Sequence, residues 1–296
     1  MRLARLPKFA LLVLVTLDVS ACGTRVIYDR MDSLLYFHLS SQVSLDDGQA
    51  RALRASLRDL HSWHRSAALP AYAEFLETLA DDMAQPIGAR GIDAARAGME
   101  ALWRDTVAGA APAVARWLAG ISPTQREEFF ASLAERDVEL RREYCDIGDE
   151  ERRRNRERSV VAALGDWVGR LDTEQRMLVR EGLAGVDANG CDWIASRADF
   201  RARLRQLVDT HAADPHYEAR LARLLTHPED GWDSVYRARY EANSDIVVAM
   251  LAELDRALSE RQRERLGTRL RSYARDFREL SAIPTGPLSA VPPPRS

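Results

Sequence analysis

Apolar residues along this chain return at helical spacing, and no stretch shows the alternation of a half-buried strand. One pattern organises them. Leu45-Asp46-Asp47-Gly48-Gln49, Ile121-Ser122-Pro123-Thr124-Gln125, Leu171-Asp172-Thr173-Glu174-Gln175 and Leu258-Ser259-Glu260-Arg261-Gln262 each read apolar, Ser or Asp, two variable residues, Gln. This is a capping box: the side chain of Asp46, Ser122, Asp172 or Ser259 accepts from the amide three residues on, and the Gln reaches back to the cap amide. Pro123 falls at the first helical position, where its missing N–H costs nothing. Seven residues after each cap stand Leu53, Phe129, Val179 and Leu266, and eleven after it Leu57, Leu133, Leu183 and Leu270, one face of a helix in each case.

A second helical stretch precedes each motif: Val26 to Ser41, Ile92 to Ala119, Arg152 to Gly169, and Ser234 to Ala257. Short links between amphipathic helices predict antiparallel hairpins. The expected fold is all-α, an elongated bundle of several such hairpins, with further helices near Ala67 to Met83 and Ile194 to Leu225. Breaks are expected at Gln85-Pro86-Ile87-Gly88, Asp187 to Gly190, Asp214-Pro215 and His227 to Gly231. The motif starts are 76, 50 and 87 residues apart, which argues against a regular solenoid.

The N-terminus changes the picture. Arg2, Arg5 and Lys8 precede an apolar run from Phe9 to Leu17, too short to span a bilayer, and small residues then lead to a cysteine. Val19-Ser20-Ala21-Cys22 resembles a lipobox, which implies cleavage before Cys22 and acylation of that residue. Gly23 stands where an aspartate would resemble an inner-membrane retention signal, so an outer-membrane anchor facing the periplasm of a Gram-negative bacterium is expected. The organisation is then signal peptide (1–21), lipidated tether (22–25), one all-helical domain (26–282) and a disordered Pro-rich tail (283–296). Removing residues 1–21 takes the formal charge from −3 to −5, against a nucleic-acid partner. The expected partners are the bilayer, through acylated Cys22, and an envelope protein.

Cys145 and Cys191 remain, in a compartment that permits disulfides; they either pair or stay as buried free thiols. His61 and His64, at i and i+3 of His61-Ser62-Trp63-His64-Arg65, share a helix face and can offer two metal ligands, but no carboxylate lies one turn away on that face. Packing and capping are the expected roles, and no cofactor is implied. Arg152 to Arg158 forms a basic strip after Asp149, Glu150 and Glu151, where Arg154 is placed to pair with Glu150 and Glu151. The six tryptophans are expected in the core, their indole N–H groups meeting carbonyls. No nucleophile elbow, His-Glu-x-x-His or phosphate loop occurs, so no catalytic residues are assigned.

The lipobox, Tyr28-Asp29-Arg30-Met31-Asp32, Gln49, and Trp63-His64-Arg65 through Leu69-Pro70-x-Tyr72 together resemble an uncharacterised family of proteobacterial helical lipoproteins. The resemblance is expected to span nearly the whole mature chain, and it carries over no activity. The repeated Leu-x-x-x-Gln starts are also similar to those of the periplasmic Spy and CpxP chaperones, with Asp or Ser where those have Thr. The sequence favours a non-enzymatic interaction or envelope-assembly protein. A Spy-like holdase, and a metal protein or enzyme built on His61 and His64, are the alternatives.

Overall fold

The computed structural model describes residues 27–282. The expected signal peptide, Cys22 with its expected tether, and the expected tail from residue 283 lie outside the described residues. The fold is all-α. Its helices run α1 (Met31–Ser40), α2 (Asp47–Trp63), α3 (Leu69–Asp82), α4 (Gly88–Gly120), α5 (Pro123–Tyr144), α6 (Asp149–Val168), α7 (Thr173–Ala184), α8 (Gly190–Thr210), α9 (Tyr217–Thr226), α10 (Ser234–Arg256) and α11 (Glu260–Ala282). Each of the four expected breaks coincides with a gap between helices, and further interruptions fall at 41–46, 121–122, 145–148, 169–172 and 257–259. At Asp214-Pro215 the chain leaves α8 through a short 3-10 turn, because Pro215 has no N–H to continue the helix.

All four capping boxes form. Asp46, Ser122 and Asp172 accept from Gln49, Gln125 and Gln175 in turn, and Ser259 accepts from the Gln262 amide at 3.3 Å. The motifs also meet in pairs. Gln49 and Gln125 exchange amide hydrogen bonds, and each donates a second to the carbonyl two residues before the other's cap, Gly120 and Ser44. Gln175 and Gln262 repeat the arrangement with Ala257 and Arg170.

This pairing explains where the hairpin expectation departs from the structure. Helix α1 packs on α2 and α6 on α7 as hairpins, but α4 and α5 do not lie along one another, nor do α10 and α11. The link at Ile121 and Ser122 is extended, and the Gly120 carbonyl just before it is held by the remote Gln49. The chain turns a corner there instead of folding back. Helix α4 packs on α9 and α10, α5 on α8, and α3 on α11. The last two pairs are antiparallel, as their cross-links show: Asp137 with Arg197 and Arg201 while Glu127 meets Arg205, and Glu77 with Arg278 while Asp81 meets Arg271.

A core lies below each paired motif. Ile121, Leu118, Phe130, Val208 and Leu221 form one; Leu171, Val179, Leu183, Met250, Leu254, Leu266 and Leu270 form the other. Phe129 and Leu133 are half-buried against the first.

Two buried polar residues fix loops between helices. Asp255 accepts from the Ile87 amide at 2.8 Å and from Arg263 at 2.8 Å, clamping the 83–88 turn to α10 and α11. The Asn243 side chain exchanges two bonds with the backbone of Asp187.

Candidate functional site

Helices α2 and α3 are one continuous rod, joined through a π-turn at His64–Ala68 in which the Leu69 amide reaches back to the His64 carbonyl. Pro70 accounts for the wider turn. It cannot donate, and its ring would crowd the carbonyl of Ser66 in a regular helix, so one inserted residue relieves both problems. The turn places His61, His64, Arg65 and Tyr72 around the start of the described chain.

Tyr28 is the centre of the cluster. Its hydroxyl lies 2.8 Å from His64 Nδ1, and its ring packs edge-on to His61, with centroids 4.8 Å apart. His64 in turn meets Tyr72 edge-on at 5.7 Å; Tyr72 touches Phe277 of α11, and its hydroxyl bonds Thr106 of α4. Arg65, 6% exposed, lies over the Tyr28 ring. It donates to Asp29 at 2.6 Å and to the carbonyl of Leu280 at 3.2 Å. One buried guanidinium therefore joins residue 29 to residue 280, near both ends of the described chain.

The electrostatics suit an apolar latch. Burial lowers the pKa of His64 to about 4, with a smaller contribution from His61. His61 is lowered too, first by burial and then by Arg65. Burial raises the Tyr28 and Tyr72 hydroxyls above the usual phenol range. Both imidazoles are thus neutral near pH 7, Tyr28 can donate to His64, and His61 Nε2 is buried with no hydrogen-bond partner among the described residues. Two neutral imidazoles can ligate a metal, but no group of three His, Cys, Asp or Glu side chains converges among the described residues.

The other candidate residues are placed as follows. Cys145 and Cys191 form a disulfide, Cα atoms 5.0 Å apart, tying the end of α5 to the start of α8. In the arginine strip, Arg153 and Arg154 pair with Glu150, and Arg152 pairs with Asp149 and donates to the carbonyl of Cys145 at 2.7 Å. The expected pairing of Glu151 with Arg154 does not form, because Glu150, one turn before Arg154, already occupies that position. Of the tryptophans, Trp117 and Trp167 pack on the two cores, and Trp193 and Trp232 pack against tyrosines. Trp117 Nε1 is buried and finds no acceptor among the described residues, contrary to the expectation for a core indole. Asp29, although within the quoted Tyr28–Asp32 run, could not be joined to Arg65 from sequence. Thr106 and Phe277 carried no signal at all.

With this geometry in hand, the class is an all-α protein organised by paired helix caps and an N-terminal latch. A family model described as a family of unknown function (DUF6279) matches residues 41–237, and the chain belongs to that family. The match takes in three of the four capping motifs and the His61–Tyr72 segment. It leaves out Tyr28–Asp32 and the Ser259–Gln262 motif, so it is shorter than the near-complete span expected from sequence. No curated protein and no solved structure matches the chain.

Proposed function

We propose that the chain is a lipid-anchored envelope protein on the periplasmic face of the outer membrane, acting as a non-enzymatic platform for another envelope protein. The observation that carries this reading is the latch. Seven residues after the expected acylation site at Cys22, Asp29 is gripped by buried Arg65, which also holds Leu280. Seven residues span at most about 25 Å when extended, so the anchor and the latch together keep the body close to the bilayer in one orientation. A partner fixed in the same envelope gains from that pre-set orientation, because less rotational freedom is lost on association.

The test has two parts. Mass spectrometry of the N-terminal peptide from membrane-extracted protein should show Cys22 as the first residue, carrying acyl chains. Site-specific crosslinking in intact envelopes should then trap one discrete partner, and Arg65→Ala should weaken that crosslink while leaving acylation intact. Unmodified Cys22, or crosslinks scattered over many unrelated proteins, would overturn the reading.

A further inference from the structure

Helix α1 has one face on the body and one that no described residue covers. Tyr36 stacks on the Arg54 guanidinium of α2 at 3.9 Å, and Leu39 is half-buried, so this side is packed. The opposite side carries Leu34 and Phe37, 49% and 67% exposed, on adjacent turns, with Leu35 beside them and Ile27 just before the helix. Four of the nine exposed large apolar side chains among the described residues thus fall between Ile27 and Phe37. The other five are spread over four helices, with Val235 and Tyr240 both on α10, as is ordinary for a folded surface.

What lies next to this strip follows from the chain itself. Ile27 comes five residues after Cys22, a reach of at most about 18 Å, and the latch at Tyr28 and Asp29 keeps α1 from swinging away. Arg30 opens the helix and His38 closes it, with Asp32 its single acidic residue. The strip is too small for a stable interface between two copies, which needs roughly 800 Å² from each partner. It is large enough for a surface already held at the bilayer by acyl chains, where a few apolar side chains decide orientation rather than binding.

We propose that α1 is a membrane-contact helix, with Leu34 and Phe37 seated at the headgroup–acyl boundary of the leaflet that anchors Cys22. The inference deepens the lipoprotein reading and rests on it for the position of the bilayer. The contact sets which faces of the body point away from the membrane.

The test uses the mature chain beginning at Cys22, coupled through that thiol to maleimide-lipid in phosphatidylethanolamine–phosphatidylglycerol vesicles. Cys145 and Cys191 are paired, so Cys22 is the thiol available for coupling. This fixes the anchor chemically, whether or not cells acylate Cys22, so the contact can fail or succeed independently of the lipoprotein reading. The readout is quenching of added tryptophan by brominated lipid, over the parent with its six native tryptophans. Phe37→Trp should emit at shorter wavelength on vesicles and lose about half or more of its added emission to bromolipid, while Met177→Trp, on the exposed face of α7, should stay unquenched. Water-like, unquenched emission from Phe37→Trp would overturn the proposal. So would a blue shift without vesicles: one that grows with protein concentration would assign the strip to a second copy, and one independent of concentration would assign it to another part of the chain.

Discussion

Gln175 and Gln262 lie 87 residues apart and hold one another by reciprocal amide bonds, 2.7 Å from Gln175 Nε2 to Gln262 Oε1 and 2.9 Å in return. Gln175 is 1% exposed, yet its amide is fully satisfied: Oε1 also accepts from the Asp172 amide, and Nε2 also donates to the Ala257 carbonyl. Gln175→Ala should therefore cost about 2 kcal/mol in urea unfolding, chiefly from acceptors left dry. Gln175→Glu should cost more, since a carboxylate would face two oxygens without a proton to offer. A double-mutant cycle with Gln262→Ala should give a coupling of at least about 0.5 kcal/mol; strict additivity would show that each Gln is only a cap for its own helix.

How far this was legible in the sequence follows from the range of each interaction. The cap of Asp172 on the Gln175 amide spans three residues, so pattern alone located it, and the stripe through Val179 and Leu183 came with it. Which motif meets which is a tertiary matter. The spacing was equally consistent with four hairpins, and nothing in it foretold that Gln49 would choose Gln125. The same holds at the latch. The Trp63-His64-Arg65 run was visible, but a buried Arg65 shared by Asp29 and Leu280 depends on chain ends far apart in sequence.

The Cys145–Cys191 bridge closes a loop across 46 residues that holds the whole of α6 and α7. In the chain-entropy view such a loop is worth about 4 kcal/mol, through the unfolded state. The double variant Cys145→Ser/Cys191→Ser should unfold at clearly lower urea. Adding reductant should shift the parent to the same midpoint and leave the variant unmoved. An unshifted parent midpoint would mean that the bridge is absent from the protein or contributes little to its stability.

Asp255 is 2% exposed and answers the largely buried Arg263, 2.8 Å away, together with the Ile87 amide. Asp255→Ala strands a buried cation and an amide at once, so a loss of about 3–5 kcal/mol is expected. Asp255→Asn, which keeps an acceptor but removes the charge, should fall between variant and parent. Chemical denaturation ranks the three; a surface-like effect under about 0.5 kcal/mol for Asp255→Ala would contradict the clamp.

Gly109 of α4 faces Trp63, and a Cβ there would lie 2.0 Å from Cζ2 and 2.1 Å from Cη2 of the indole. Gly109→Ala gains helix propensity yet should destabilise by about 1–3 kcal/mol, because an indole wedged beside the π-turn has little room to retreat. Those two atoms belong to the benzo half of the ring. Trp63→Phe removes them, so Gly109→Ala should cost less in that background than in the parent. Equal costs in both backgrounds would place the strain elsewhere.

The latch also carries a pH dependence whose sign is fixed by burial. His64 titrates near 4 in the folded chain, against an ordinary value of 6.5, so between those values the unfolded chain binds a proton that the folded chain refuses. Stability from this residue is complete above about pH 6.5 and is lost as pH falls towards 4, by at most about 3 kcal/mol, with His61, also lowered, acting in the same direction. Urea midpoints measured from pH 7.5 to 4.5 should fall for the parent. His64→Gln retains an acceptor for the Tyr28 hydroxyl without the titration, so its midpoint should fall less steeply. Identical slopes would show that His64 titrates normally and that burial does not hold it neutral. If protonation does break the Tyr28 contact, loss of protection should begin at residues 27–29, the first of the described chain, before it reaches the two cores.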